Sequence, residues 1–263
     1  MSMKVAIVGA AGRMGQALLR LAASEGIEPV AAIEGAQCPL VGQAVKLEGL
    51  SRPLVYTTEW SEEAEAVIDF SFHAAVPAHL AAAVARGQGY VLCTTGLTAE
   101  EQAAALAAAK KIPLVWSSNM STGVNLLLEL VRKAAQTLGI EYDIEITETH
   151  HRMKKDAPSG TALMLAEAAA AGRGVKLADV GCHGRDGLVG ERPAGEIGIH
   201  ALRGGSVVGD HTVMFMADEE RIEITHKAVT REVFAKGALR AAKWLAGRAA
   251  GRYSMRDVLG FAD

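Results

Sequence analysis

Up to about residue 118 the chain alternates two kinds of apolar pattern. Residues 4–8 form a near-continuous apolar run of strand length that ends at glycines. Beyond it, Met14, Ala17, Leu18, Leu21 and Ala22 recur at the spacing of one buried helix face. Runs at 30–33, 54–57, 66–70, 90–94 and 114–117 predict further strands, and 76–86 and 99–110 predict the helices separating the last three. Strands apolar on both faces, alternating with helices, predict a parallel sheet covered on both sides, with right-handed crossovers.

After Ser118 the pattern changes. Residues 123–138 predict a long helix with Leu126, Leu127, Leu130, Val131 and Ala134 on one side. At 143–149, Ile144 and Ile146 alternate with Glu145 and Thr147, and runs at 197–202, 211–216 and 221–225 alternate likewise. With no helices between those last three, a mixed or antiparallel sheet is expected. Val213, Phe215, Ile222 and Ile224 then cover local helices or bury a subunit interface. The glycine-rich stretch 184–198 is the candidate mobile loop. A final amphipathic helix at 231–246 is expected to pack back on the first domain.

Composition narrows the classes. At 263 residues, half of them apolar and 22% charged, the chain reads as a soluble globular protein able to form two domains. A net charge of −3 without a basic block argues against nucleic acid as a partner. No apolar stretch approaches the about 18 residues of a membrane span. Cys38, Cys93 and Cys182 are widely spaced, which argues against a disulfide framework or a zinc site and for a cytoplasmic protein.

Gly9, Gly12 and Gly15 sit between the first strand and the first helix. Backbone approaches a pyrophosphate only where no Cβ intrudes, so the turn formed by Gly9, Ala10, Ala11, Gly12, Arg13 and Met14 is a candidate dinucleotide site. Glu34, at the end of the second strand, can accept hydrogen bonds from the ribose hydroxyls and would repel a 2′-phosphate. The following Gly35 supplies no compensating cation. NADH is therefore favoured over NADPH. Cys93, Thr94 and Thr95 close one strand, and Ser117, Ser118, Asn119 and Met120 follow another. Both groups lie where ligands of open parallel sheets bind. The first domain is expected to be Rossmann-like.

The stretch from Glu148 to Ala162 holds His150, His151 and Lys154, then Pro158, Ser159, Gly160 and Thr161 before an Ala- and Leu-rich helix. A helix start offers N–H groups and a positive dipole end to a carboxylate. An imidazole and an ammonium beside it suit an acidic substrate that receives a proton. His150 and His151 should point to opposite faces of their strand. No His-Glu-x-x-His or His-x-x-x-His spacing occurs, so no metal site is expected. Lys155 and Arg152 read as solvated charges, and His79, His183, His200 and His211 as ordinary structural histidines.

Gly-Ala-Ala-Gly-Arg-Met-Gly at 9–15, Cys-Thr-Thr-Gly at 93–96, Ser-Ser-Asn-Met-Ser-x-Gly-Val-Asn at 117–125, the 148–162 run and Ile-Thr-His-Lys-Ala at 224–228 resemble the 4-hydroxy-tetrahydrodipicolinate (dihydrodipicolinate) reductase family over nearly the whole chain. The resemblance implies reduction of a cyclic imine dicarboxylate, with loss of its 4-hydroxyl as water, by NADH or NADPH in lysine and diaminopimelate synthesis. It implies His150 as proton donor and acceptor, Lys154 as a second proton donor, and His151 with Ser159, Gly160 and Thr161 as substrate contacts. The dinucleotide contacts fall on residues 9–14, Glu34, Cys93–Thr95 and 117–120. Cys93 departs from the glycine many relatives carry there, and Gly35 from the arginine of NADPH-using members. The expected fold is α/β: a dinucleotide-binding domain at 1–120, a substrate-binding and oligomerisation domain with a mixed sheet at 121–230, and C-terminal helices at 231–263 returning to the first. A homotetramer is implied. Two other readings share these residues: a reductase of another cyclic imine, such as a 4-thio analogue, and a non-catalytic dinucleotide-binding module.

Overall fold

The computed structural model describes residues 2–50 and 52–261. The chain forms two compact units, one from Met1–Thr122 with Arg231–Asp263, the other from Gly123–Thr230.

Unit 1 begins with β1 (Met3–Val8), α1 (Arg13–Ala22), β2 (Ile27–Ile33), β3 (Tyr56–Thr57) and β4 (Ala66–Asp69). It continues with α2 (Val76–Ala85), β5 (Gly89–Leu92), α3 (Ala99–Ala109) and β6 (Pro113–Trp116). The chain then passes through α4 (Thr122–Leu138), β7 (Asp143–His150), α5 (Gly160–Gly172), α6 (Leu177–Val180) and β8 (Gly181–Cys182). β9 (Ile197–Arg203), β10 (Gly209–Met216) and β11 (Arg221–Ala228) complete unit 2, before α7 (Glu232–Leu245), β12 (Gly251–Tyr253) and α8 (Met255–Leu259) close unit 1.

The sheet of unit 1 runs β12-β6-β5-β4-β1-β2-β3, every pair parallel. This is the doubly wound Rossmann order, with its switch point between β1 and β4. Its strands are apolar on both faces because each face is covered. Val5 and Ile7 join α1 and α7 through Leu18, Ala238 and Leu245, while Ala6 and Val8 join α2 and α3 through Leu80 and Ala105. Strand registers fix the site. Val8 pairs with Asp69 on one side and Ile33 on the other, so Gly9, Phe70 and Glu34 emerge together at the carboxyl edge.

Unit 2 carries a mixed sheet, β11-β10-β7-β9-β8, with β7 antiparallel to β10 and parallel to β9. Although β9 and β10 are successive in sequence, β7 lies between them. Ile144, Ile146, Ile199, Val213 and Phe215 on one face pack against α4 and α5. Val213 and Phe215 thus cover local helices, and Ile224 packs against the same core. The α4 stripe differs from the expected one. Val124, Leu127, Val131 and Ala135 are buried, whereas Leu126 and Leu130 are about half exposed, because the i, i+4 row through Leu127 is the one facing the sheet. The loop before β9 is anchored: Arg185 and Arg192 both reach Glu145, which lies on the face of β7 opposite Ile144 and Ile146.

Candidate active site

The turn after β1 is built on backbone. Gly9 has φ +77°, and a Cβ there would stand 2.6 Å from the Phe70 carbonyl oxygen. A Cβ on Gly15 would stand 2.2 Å from the Gly9 oxygen, so α1 packs directly on the turn. Gly12 caps α1 without a side-chain acceptor, and the first turn holds no acid. The donors of this helix start are thus left to an anion, which fits the pyrophosphate of a dinucleotide. Glu34 is half-buried and its Oε1 accepts from the Ala11 N–H at 2.6 Å, placing a negative charge against the turn.

Beside the turn lies a cavity of about 370 Å³, formed wholly within unit 1. Arg13, Met14, Cys93, Thr95, Ser118, Asn119 and Met120, seven of the residues expected from sequence near a cofactor, line it together. Phe70, Arg231 and Phe234 line it too, and sequence reasoning missed them. Thr94 and Ser117 are turned to other tasks. Buried Thr94 donates from Oγ1 to Asp69 Oδ1 at 3.1 Å, and Ser117 Oγ donates to the Asn119 carbonyl at 2.8 Å. Cys93 is buried, and burial, with Asp69 nearby, pushes its thiol well above the ordinary range, so it acts as a small apolar wall.

Asp69 directly precedes Phe70, which lines the cavity. It is fully buried and also accepts from the Ser71 N–H at 2.8 Å, from His79 Nδ1 at 2.9 Å and from the Tyr90 hydroxyl. Burial alone would raise this carboxyl; the bonds from His79, Ser71 and Tyr90 outweigh that and hold it low. Through the Ser71 N–H and the Thr94 hydroxyl this one side chain ties the segments that follow β4 and β5 together.

In unit 2, β7 carries the second group of functional residues. Glu148 and His150 share a face of the strand with Ile144 and Ile146, and both are buried. His151 follows the strand and is half-buried, its backbone N–H bonded to the Val207 carbonyl at 2.8 Å. His150 Nδ1 meets Glu148 Oε2 at 2.6 Å. Arg203, opposite His150 in the β7–β9 register, grips Glu148 with both terminal nitrogens at 2.8 and 2.9 Å. The Ser159 N–H donates to Glu148 Oε1 at 2.9 Å. Burial raises the Glu148 carboxyl, but Arg203, His150 and Ser159 together hold it below the usual range.

Ser159, expected from sequence among the substrate contacts, is buried. Its hydroxyl caps α5 by accepting from the Ala162 N–H at 3.2 Å and bonds His211 Nε2 at 3.1 Å, so what remains exposed is the helix start beyond it. Gly160 is exposed, Thr161 is half-buried, and no acid lies in the first turn, a seat suited to a carboxylate. Lys154 is half-buried and reaches Asp156 at 2.8 Å, while Arg152 and Lys155 are solvated.

His211 was read from sequence as an ordinary histidine, yet its ring lies edge-on to His150 at 5.2 Å between centroids. Burial, reinforced by the charge of His150, pushes it down to about 4, so it is neutral at pH 7. The signal was available: in β10, His211 shares its period-2 face with Val213 and Phe215, and in β7 Glu148 lies two residues from His150. Among the described residues, no group of three His, Cys, Asp or Glu side chains is placed to hold a metal ion. No helix among them is long and apolar enough to cross a membrane.

Comparison with known proteins finds a match over each of the two regions. Residues 3–120 match the family described as dihydrodipicolinate reductase, N-terminus, and residues 123–259 its C-terminus. A 4-hydroxy-tetrahydrodipicolinate reductase of Rhodopseudomonas palustris (strain BisB18) is 49% identical, over 99% of this chain and 98% of its own. The enzyme of that name from Anaeromyxobacter dehalogenans (strain 2CP-C) is 47% identical, over 98% of this chain and 97% of its own. The fold is shared with a dipicolinate-bound dihydrodipicolinate reductase from Paenisporosarcina sp. TG-14, with a TM-score of 0.76 at 21% identity, covering 97% of this chain and 98% of that one. The chain belongs to the dihydrodipicolinate reductase family of NAD(P)H-dependent oxidoreductases.

Proposed function

We propose that this chain reduces 4-hydroxy-tetrahydrodipicolinate to tetrahydrodipicolinate, with loss of water, in lysine and diaminopimelate synthesis, and that His150 and Lys154 carry its proton chemistry. The observation that supports these roles most is the placing, in one unit, of a carboxylate-held imidazole beside a helix start with no acid in its first turn. The product gains one hydride and one proton while the 4-hydroxyl leaves as water, so the protein must deliver protons and hold a dianion. A bound NADH or NADPH supplies the hydride, and the turn at residues 9–14 with the adjoining cavity fits it. Gly160, Thr161 and the N–H groups of the α5 start hold one substrate carboxylate, with His151 beside them. Lys154 offers both a charge and a proton to the substrate where negative charge or basicity develops.

In this reading unit 1 holds the dinucleotide and unit 2 the dicarboxylate. NADH is preferred, since Glu34 sets a negative charge against the turn and Gly35 brings none of the opposite sign. Assembly is a homotetramer formed through the mixed sheet, and the protein is cytoplasmic. The direct test follows the absorbance of NADH with purified protein and the 4-hydroxy substrate. Lys154→Ala and His150→Gln should each lower kcat by ~10²–10⁴-fold, the usual range for a lost general acid. Near-normal turnover in either variant removes that residue from the mechanism.

A further inference from the structure

Glu148 is wholly buried, and its two oxygens serve different neighbours. Neutralising a buried carboxylate needs only Arg203, whose fork already engages both oxygens. Yet Oε2 also takes His150 Nδ1, and Oε1 takes the N–H of Ser159, the residue that caps α5. With Nδ1 committed to donating to a carboxylate, Nε2 is the nitrogen of His150 left to exchange a proton. Room for that nitrogen comes from β10, where a Cβ on Gly209 would stand 2.9 Å from it.

We propose that Glu148 is the positioning residue of the reaction: it fixes the tautomer and orientation of His150 through one oxygen and the carboxylate-binding helix start through the other. This rests on the reading of His150 as the proton carrier. The charged and titratable groups around His150 are Glu148 on its own strand, Arg203 on β9, His211 on β10, His226 on β11, and Lys154 with Asp156 from the following loop. Asp156 is taken up by Lys154, and the two other histidines are held low by burial. Removing the Glu148 charge therefore leaves His150 facing the cations Arg203 and Lys154, and its protonated form becomes less favourable.

The test uses the full chain as Glu148→Gln, Glu148→Asp and the double variant Glu148→Gln/Arg203→Met. Its readouts are the pH profile of kcat/KM for the 4-hydroxy substrate and the binding of NADH by fluorescence. Expected for Glu148→Gln is a shift to lower pH, by about one unit or more, of the limb that His150→Gln abolishes, and for the double variant, which also loses the Arg203 charge, a smaller shift in the same direction. At pH 7.5 kcat should fall ~10–100-fold, the lower part of the range for general acid catalysis. Glu148→Asp should recover part of the loss, with NADH binding unchanged throughout. The double variant keeps the test decisive where the single one does not fold, since it removes the guanidinium that would be stranded. An unmoved limb overturns the proposal, because a carboxylate that only supports the fold changes the amount of active enzyme and not the pH at which it titrates. A His150→Gln enzyme with full turnover would instead remove the proton carrier itself, and the role of Glu148 with it.

Discussion

Glu145 and Glu148 lie on opposite faces of one strand, and each holds arginine and histidine. Glu145 takes Arg185 at 2.8 Å, Arg192 at 2.9 Å and His200 at 2.5 Å, partners that are 20–29% exposed. Burial raises its carboxyl, but these bonds bring it down to about 2. Glu148 has a single guanidinium, a buried histidine and a backbone N–H, and no exposure at all. The first arrangement ties down a loop with spare partners; the second aims one imidazole with none to spare. Redundancy marks the structural carboxylate, and economy the functional one.

The largest expected effect breaks that contrast directly. Arg203→Met leaves Glu148 buried without its cation and should cost about 3–5 kcal/mol in urea unfolding of the full chain. Arg185→Met leaves Arg192 and His200 on Glu145, and should cost about 1 kcal/mol or less. Equal losses would erase the distinction.

Next comes acid sensitivity on the buried side. His211 titrates at about 4 in the folded chain against an ordinary 6.5, so the unfolded chain binds a proton that the folded one refuses. Its contribution is fully present above pH 6.5 and is lost as the pH falls toward 4, by up to about 3 kcal/mol. Thermal midpoints of wild type and His211→Asn between pH 7.5 and 4.5 should converge on acidification. Parallel curves would contradict this.

A third acid, Glu34, has a backbone N–H as its partner, and its effect should fall on cofactor choice. Paired KM values should favour NADH by roughly tenfold, about 1.4 kcal/mol, and Glu34→Ala should narrow the gap. Equal values in the wild type would mean that Arg13 supplies the missing recognition. The smallest effect belongs to the Lys154–Asp156 pair, whose carboxylate is exposed. Asp156→Asn should move the thermal midpoint by no more than a shift equivalent to about 0.5 kcal/mol.

Much of this was legible in the chain, for a physical reason. Elements with strong local patterns, such as β1, α1 and the turn between them, announce themselves because their constraints lie within a few residues. The Glu148 group does not. Arg203 is 55 residues away and meets Glu148 only through the register of β7 with β9. Phe70, Arg231 and Phe234 escaped for the same reason, since they join the cavity by strand order and by the return of α7. The capping role of Ser159 was not legible, because a serine before a helix looks the same whether it meets a ligand or caps the helix. Asp69 reads as the last residue of an apolar strand, and nothing local tells that four donors converge on it.

The divided attention of the Glu148 carboxylate has an evolutionary corollary. Residues 148, 150 and 203 are coupled through one carboxylate: a change at any of them alters the value of the other two, so single and double replacements will not sum. Drift through this group is confined to concerted moves. The Glu145 cluster, which keeps two partners on its carboxylate when one is lost, can wander one step at a time.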